Sequence, residues 1–553
     1  MKRSDRAPDR IKTVRETAEY LRTFAQFPLA LRRFTRHKLT VDEAEHVIRQ
    51  RMAQREETFL RIVERSIYGY AQSPYLELLE MAGCQFGDLR DMVQHRGLEK
   101  TLRALREAGV FVTFEEFKGR KPIIRDGRKI RARPQDFDNP FAARHFTIQT
   151  GGSTGSPSNV AANLDHVAAR APHQLLTLAA HSLLDAPAAI WRGILPASTL
   201  RSMLWRAYAG CLPQRWFSNI GWRDSKDWLK YGLATSYIVF WMRLLGLRVP
   251  LPEIVKVDQA LVVARWVADT LQTHGRCALH AQVSRAVRVC IAAQEAGLDL
   301  SGATIKGGGE PPTPAKVQHM KRAGVRYVSH YAMTEAGSVA SGCARPIDDT
   351  DVHVFEDAYV LFAYPHMVES AGITVPAFHL TTLLPTSPKL LLNVQTDDYG
   401  IIEQRHCGCD LETYGYTTHL RQIRSYGKLT GEGVALIRTE MLRILDEELP
   451  ARFGGSPLDY QMLEQEDEQG FTRLYLVISP RVQIADESAV IEVMLNALRQ
   501  SSPMADAART AWQHAQTIQI KRVEPTWTAQ GKLMPLHIQR RPVSNTRKED
   551  PQR

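Results

Sequence analysis

The sharpest local signal in the chain is TGGSTGSPS, Thr150 to Ser158, directly behind the strand-like run FTIQT. Backbone N–H and side-chain O–H groups crowded into such a loop can converge on phosphate oxygens. It is not a Walker loop, because no Gly-Lys-Ser/Thr follows at the required spacing. An ordinary glycine-rich turn is a second reading. A third is a hydrolase nucleophile elbow with Ser153 as nucleophile, since Gly151-Gly152-Ser153-Thr154-Gly155 matches G-x-S-x-G. An elbow needs a helix immediately after its serine, and Pro157 with the β-favouring SNVAAN run opposes one.

Three further stretches place oxygen and nitrogen groups where ligands bind. GGGEPPTP, Gly307 to Pro314, leads through a helical pattern into RYVSHYAMTEAGSVASG. A buried strand ending near Tyr331 would set Thr334 and Glu335 at its carboxyl end, the ligand-binding edge of α/β proteins. Glu335 there can hold Mg²⁺, a hard cation that takes oxygen ligands and bridges phosphates; taken singly it is equally a helix-capping acid. In VQTDDYG, Asp397 and Asp398 precede a glycine turn. A carboxylate at that place can accept hydrogen bonds from ribose hydroxyls, or simply sit exposed on a hairpin. TWTAQGKLMPL carries Lys532 behind a glycine, which by itself decides nothing.

The cysteines form a separate constellation. Cys407-Gly408-Cys409 offers two thiolates at C-x-C spacing, with Cys343 and His353 upstream. Two such pairs brought together would suit a tetrahedral structural Zn²⁺. His406 is a rival nitrogen ligand, and buried free cysteines with a surface histidine are the plain alternative. Cys84, Cys211, Cys277 and Cys290 have the look of core residues.

These groups need a scaffold. The first hundred or so residues are helical: VDEAEHVIRQRMAQREETFLRIVERSIYGYA repeats apolar residues at three- and four-residue spacing, with Asp42 placed to cap it. A basic stretch, FKGRKPIIRDGRKIRARPQ, suits a solvated hairpin, a lid or a phosphate contact. From about 146 to 420, short apolar runs such as FTIQT, AAIWRGILP, RYVSHYAM and AYVLFAY alternate with helical patterns, as in an α/β domain. Beyond Arg421 a compact βαβ-like unit follows, built from FTRLYLVISP, ESAVIEVMLNALRQ and TIQIKRVEP.

At 553 residues the chain exceeds one hydrophobic core, so at least two domains are expected. The hydrophobic fraction of 44% with 24% charged residues is that of a folded protein. A net charge of +11 suits an anionic ligand, but the basic residues are interspersed with acids as on a solvated surface. Seven cysteines make no disulfide framework. The opening MKRSDRAPDRIKTVRE lacks the apolar core of a secretory signal. The most apolar stretch, YGLATSYIVFWMRLLGLRVPL, is broken by Arg243 and Arg248 and suits a buried helix better than a membrane span. A cytoplasmic monomer or homodimer, without nucleic acid or membrane insertion, is the expectation.

Taken together and in this order, the motifs resemble those of the adenylate-forming superfamily: acyl-CoA synthetases, peptide-synthetase adenylation domains and beetle luciferases. The phenylacetate–CoA ligase branch, with the acyl-protein synthetases of luminescent bacteria, is the nearest in pattern. TGGSTGSPS is similar to the family's phosphate loop, GGGEPPTP to its Gly-Glu-Pro turn and YAMTEAG to its Tyr-Gly-x-Thr-Glu signature. QTDDYG resembles the segment with the ribose-binding aspartate, IRSYGKLTGEGV the Arg-led hinge, and QGKLMPL the Gly-Lys motif of the mobile C-terminal domain. SPYLELLEMAG echoes the Ser-Pro-Phe-Tyr opening of the branch, so the resemblance spans roughly 70 to 540. Ser158 stands where many members have lysine, Gly151 replaces the usual serine, and Tyr426 and Gly427 replace acidic hinge residues. These departures bear on thiol acceptance more than on adenylation.

The resemblance implies an α/β fold: a large multi-subdomain adenylate-forming domain with a small mobile α+β C-terminal domain. The expected division is a helical extension over 1–70, an AMP-binding domain over 71–423, the small domain over 424–543 and a tail over 544–553. It implies ATP with Mg²⁺ on Glu335, phosphates held by Thr150, Gly152, Ser153, Thr154 and Gly155, and Thr334 at the reacting centre. Gly308, Gly309, Glu310 and Tyr331 would position adenine, and Asp398 with Arg424 the ribose. Lys532 would arrive with the C-terminal domain for adenylation, which then rotates about Arg424–Ser425. The acyl group would pass to CoA or the phosphopantetheine of an acyl carrier protein, or else to a non-thiol acceptor. Some members of the branch hold zinc at a CxC, which implies Cys343, His353, Cys407 and Cys409 as the set here. The acid itself is a small carboxylic acid. Its pocket is expected between 200–285 and the GGGE turn, lined by aromatic and aliphatic residues. A non-catalytic zinc-containing basic scaffold is the other class of reading.

Overall fold

The computed structural model describes residues 27–142, 146–149, 159–193, 198–218, 228–309, 312, 314–368, 373–426, 428–431, 434–437, 444–455, 459–466, 472–499, 518–526 and 536–539. Its centre is a sheet of twelve strands, numbered here along the chain: β1 (Ala188–Trp191), β2 (Arg215–Ser218), β3 (Pro252–Ile254), β4 (Cys277–Gln282), β5 (Ala303–Gly308), β6 (Arg326–Met333), β7 (Gly337–Gly342), β8 (Val352–Val354), β9 (Tyr359–Val368), β10 (Ile373–Thr382), β11 (Val394–Gln404) and β12 (Thr418–Ser425). The spatial order is β9-β10-β11-β12-β8-β7-β6-β5-β4-β1-β2-β3. β3-β2-β1-β4-β5-β6 are mutually parallel and the remaining neighbours antiparallel.

Parallel strands covered on both faces must be apolar throughout, and β1 is buried at every position. One face carries Ala189, Trp191, Leu279, Ala281 and Ile305 against α5 (Ala260–His274), α6 (Val283–Glu295) and α7 (Pro314–Arg322); the other turns Ile190 and Ala278 toward α2 (Leu164–Ala180) and α3 (Ser198–Tyr208). α5 shows why such helices form. Val263, Ala264, Val267, Ala268 and Leu271 bury one stripe, and Gly275 ends it in the left-handed region with its N–H on the Leu271 carbonyl at 2.8 Å.

α1 (Val41–Ala53) begins at Thr40 rather than Asp42: Thr40 and Glu43 form a capping box, which needs a hydroxyl at the cap and a carboxylate three residues on. Phe59, Ile62 and Ile48 from this helical region lie in the same core as α2. The apolar run before Pro250 forms α4 (Trp228–Leu244), which buries Ile238, Val239 and Met242 but leaves Leu233, Phe240 and Leu244 exposed. It is therefore half-buried, because its residues are apolar all round while only one side meets the core. No described helix is long and apolar enough to cross a membrane.

A second sheet of four strands stands on its own core: β13 (Tyr460–Glu466), β14 (Thr472–Ile478), β15 (Ile518–Lys521) and β16 (Leu536–Gln539), in the order β15-β14-β13-β16. β14 and β15 are parallel, and α8 (Glu487–Arg499) lies between them in sequence, the expected βαβ unit.

Candidate functional site

Two glycines end β5 for different reasons. A Cβ on Gly308 would stand 2.4 Å from the His330 carbonyl oxygen, so β5 and β6 close up at their carboxyl ends only around glycine. Gly309 has φ +87°, which turns the chain away. Beside them β6 ends at Met333, and Thr334 to Ala336 make the turn into antiparallel β7. Glu335 therefore caps no helix. The Ala336 carbonyl accepts from Tyr359 Oη at 2.5 Å and from Arg170 Nη1 at 3.3 Å, which fixes the turn.

Glu335 is buried, and its Oε1 is ion-paired with Lys118 Nζ. Lys118 follows the short helix Phe114–Phe117 and precedes the hairpin of Ile123–Arg125 with Arg128–Ile130. The basic stretch is thus the expected hairpin, with one lysine turned inward. Nothing in the sequence singles Lys118 out from its basic neighbours.

Tyr331 Oη donates to Asp398 Oδ2 at 2.8 Å, joining two segments 67 residues apart. Burial, and then the Asp398 carboxylate, hold the Tyr331 phenol well above its usual range, so it stays a donor. Asp397 and Asp398 do not precede a glycine turn: both lie within β11, with Asp397 2% exposed. Gly400 remains in the strand because β11 and β12 approach closely there, a Cβ standing 2.8 Å from the Arg421 carbonyl oxygen. Arg424 pairs with Tyr399 and Ser425 with Asp398, so the Arg424–Ser425 bond lies inside the main sheet. Tyr426 N–H still bonds the Asp397 carbonyl at 3.0 Å.

Gly308, Gly309, Thr334 and Glu335 thus lie at the carboxyl ends of β5 and β6, Tyr331 joins Asp398 of β11 to them, and Arg424 sits on β12 opposite Tyr399. Thr150, Gly152, Ser153, Thr154, Gly155, Glu310 and Lys532 lie outside the described residues. The strands flanking the glycine-rich loop, Phe146–Gln149 and Asn159–Ala162, pair antiparallel, with Gln149 opposite Asn159. A strand rather than a helix therefore follows the loop, which removes the nucleophile-elbow reading of Ser153.

The four residues singled out for a metal come together. Ligand atoms of Cys343, His353, Cys407 and Cys409 all lie within 4.8 Å of one another. Two thiolates on one tetrahedral zinc stand roughly 3.8 Å apart; Cys343 Sγ and Cys409 Sγ are 3.9 Å apart. His353 Nε2 is 3.2 Å from Cys409 Sγ and 3.5 Å from Cys407 Sγ. Its Nδ1 donates to the Tyr416 carbonyl at 2.8 Å, which aims Nε2 inward. His406 instead pairs with Glu412 at the surface. The donor set and spacing fit a closed structural zinc site.

No protein-family model and no curated protein sequence matches the chain. Among solved structures it is similar to 2-hydroxyisobutyryl-CoA ligase in complex with 2-HIB-AMP and CoA in the thioesterification state, at TM-score 0.53 and 13% identity over 91% of each chain. The same ligase in its postadenylation state aligns at TM-score 0.42 and 12% identity, over 92% of this chain and 91% of that one. The McyG A-PCP structure complexed with phenylalanyl-adenylate aligns at 0.32 and 12%, over 81% and 72%. The first alignment shows a shared fold; the other two add nothing to it.

Proposed function

We propose that this chain, which has the fold of the adenylate-forming ligases, uses ATP to convert a small carboxylic acid into its acyl-adenylate and then passes the acyl group to a thiol. The observation that carries the reading is the Tyr331–Asp398 hydrogen bond beside the Glu335 turn. It joins separate motifs of the resemblance by bringing Asp398 of antiparallel β11 to the carboxyl end of β6, a strand parallel to β5.

In the first half-reaction the substrate carboxylate attacks the α-phosphorus of ATP, and pyrophosphate leaves. The hairpin loop with Thr150, Gly152, Ser153, Thr154 and Gly155 holds the leaving phosphates. Gly308, Gly309 and Glu310 form the adenine side with Tyr331, while Asp398 and Arg424 take the ribose hydroxyls. Glu335 and Thr334 supply oxygen ligands at the reacting centre, and Mg²⁺ there would spread the charge of the phosphates. Lys118 pairs with the Glu335 carboxylate and positions it, and a bound metal would take the place of that cationic partner. Lys532, on the segment leading into β16, neutralises charge as it develops.

In the second half-reaction a thiol of CoA or of a carrier protein's phosphopantetheine attacks the acyl carbon and AMP leaves. Arg424 to Tyr426 are held on the main sheet, so the unit that moves against the large domain begins beyond Tyr426 rather than at 424 and runs to 543, with 1–70 as an extension and 544–553 as a tail. Cys343, His353, Cys407 and Cys409 hold a structural zinc. A cytoplasmic location fits such substrates.

Acid-dependent exchange between pyrophosphate and ATP tests the reading. Glu335→Gln keeps the shape of the side chain but removes its charge, and should slow exchange by about a hundredfold. Unchanged exchange would remove Glu335 from the mechanism, and a protein that fails to bind ATP·Mg²⁺ would end the assignment.

A further inference from the structure

The parallel half of the sheet reverses its strand order between β1 and β4. The crevice outside the carboxyl ends of the strands at such a reversal is where open α/β sheets bind ligands. Aromatic and aliphatic residues were expected to line an acyl pocket in this region, but the structure puts cations there.

Register sets Ile190, His280 and Lys306 side by side on the face covered by α2 and α3, with Arg192 following at the end of β1. β6 adds His330, and α3 brings Arg201 and Arg206. Arg206 is 1% exposed and donates to His280 Nε2 and, at 3.1 Å, to the Cys211 carbonyl. Lys306, 5% exposed, donates to Gln174 Oε1 at 3.0 Å. Gln174 Nε2 donates to Ser338 Oγ at 3.0 Å, and that hydroxyl lies 3.3 Å from His330 Nε2. A Cβ on Gly337 would stand 3.7 Å from both Arg170 Nε and Arg201 Nη1, which ties the cluster to the Glu335 turn.

The cluster carries its own repulsion. Among the described residues no carboxylate acts on Arg192, Arg206 or Lys306; Lys306 feels Arg206 and Arg192, and Arg192 feels Arg206. Glu335 reaches Arg201 but already takes Lys118. Burial first, and then these neighbours, push Lys306 down to about 7 and Arg192 to about 10. Buried Arg170 Nη2, Arg192 Nε and Arg206 Nε find no hydrogen-bond partner among the described residues. Like charges desolvated together are unfavourable unless an anion joins them. Arg192, Arg201 and His330 each keep part of their surface open to receive one.

We propose that this cluster binds a second anionic group on the acid substrate, a carboxylate, phosphate or sulfonate remote from the carboxyl that is activated. The proposal rests on the adenylation reading for the fate of that other carboxyl. The substrate class is then a dianionic acid, held by its far end at the strand-order reversal while the near end faces Glu335.

The test compares linear dicarboxylates from succinate to adipate with their monoamides and with ω-phosphono and ω-sulfo acids of matched length, on the full-length protein. Binding is read by calorimetry without ATP, and pyrophosphate exchange is read separately. At least one dianionic acid should bind tenfold or more tightly than its monoamide, and the best terminal group identifies the anion. Lys306→Met and Arg192→Met should abolish that preference while leaving the melting temperature unchanged or higher, since each relieves repulsion. No preference for any dianion, or Met variants that melt lower and keep the preference, would overturn the proposal. So would a preference that shifts to CoA, with CoA binding lost in the variants, because the cluster would then serve the acceptor's phosphates. Dianion binding in a protein that shows no ATP binding would leave the cluster assigned and sink the adenylation reading instead.

Discussion

At the scale of single residues the site depends on groups whose partners lie far away in sequence. Glu335 could be picked out as a candidate from its neighbours in YAMTEAG, but its partner Lys118 lies 217 residues earlier. No local pattern encodes that distance, and the lysine sits among seven other basic residues of one stretch. The cysteine and histidine groups of the candidate metal site were easier to find, because few residue types bind zinc and two cysteines recur at C-x-C spacing. Purified protein is expected to carry about one equivalent of zinc, and Cys409→Ser to lose it. That variant should be destabilised by about 3 kcal/mol or more, as loss of a metal site does, with exchange activity per folded molecule unchanged. Metal analysis beside denaturant unfolding checks both. Zinc-free wild-type protein of full stability would count against the site.

Elements decide where those residues meet. The carboxyl ends of β5 and β6 approach so closely that the backbone of Gly308 lies under the His330 carbonyl. Gly308→Ala must push the strands apart or twist β5, an overpacking cost of about 1–3 kcal/mol. Because Gly309, Tyr331 and the Glu335 turn hang from these two strand ends, exchange should fall more steeply than stability does. A melting curve and a KM for ATP on the same sample distinguish this from simple unfolding: a normal KM would mean that strand spacing does not set the site. The strand runs themselves were legible from their apolar content. The setting of Asp397 and Asp398 was not, since Gly400 has the look of a turn residue. It stays in β11 only because β12 leaves no room for a side chain.

At the scale of the whole molecule two predictions follow from how units and charges are arranged. If Lys532 serves only the adenylation arrangement, Lys532→Ala should slow acyl-adenylate formation by roughly a hundred- to a thousandfold. It should still convert a supplied acyl-adenylate to thioester, and equal losses in both half-reactions would leave domain rotation without support. The second prediction concerns acid. Burial holds His181 and His379 down to about 4, and His166, His280 and His330 also below the ordinary range. Between pH 6.5 and 4 the unfolded chain therefore takes up protons that the folded one refuses. Stability should fall with pH by about 1.4 kcal/mol per pH unit for each such histidine. Urea midpoints at pH 7.5, 6 and 5 measure this, and a flat profile would mean that the histidines are not held neutral. The sequence by itself determined the α/β class, the order of the motifs and the residue types of the candidate metal site, because these follow from local periodicity, turn chemistry and side-chain donors. Only the tertiary structure decided that Lys118 meets Glu335, that Asp398 meets Tyr331, and that Arg192, Arg206, His280 and Lys306 share one end of the sheet. Strand order and register fix those meetings, and both depend on long-range pairing that adjacent residues do not specify.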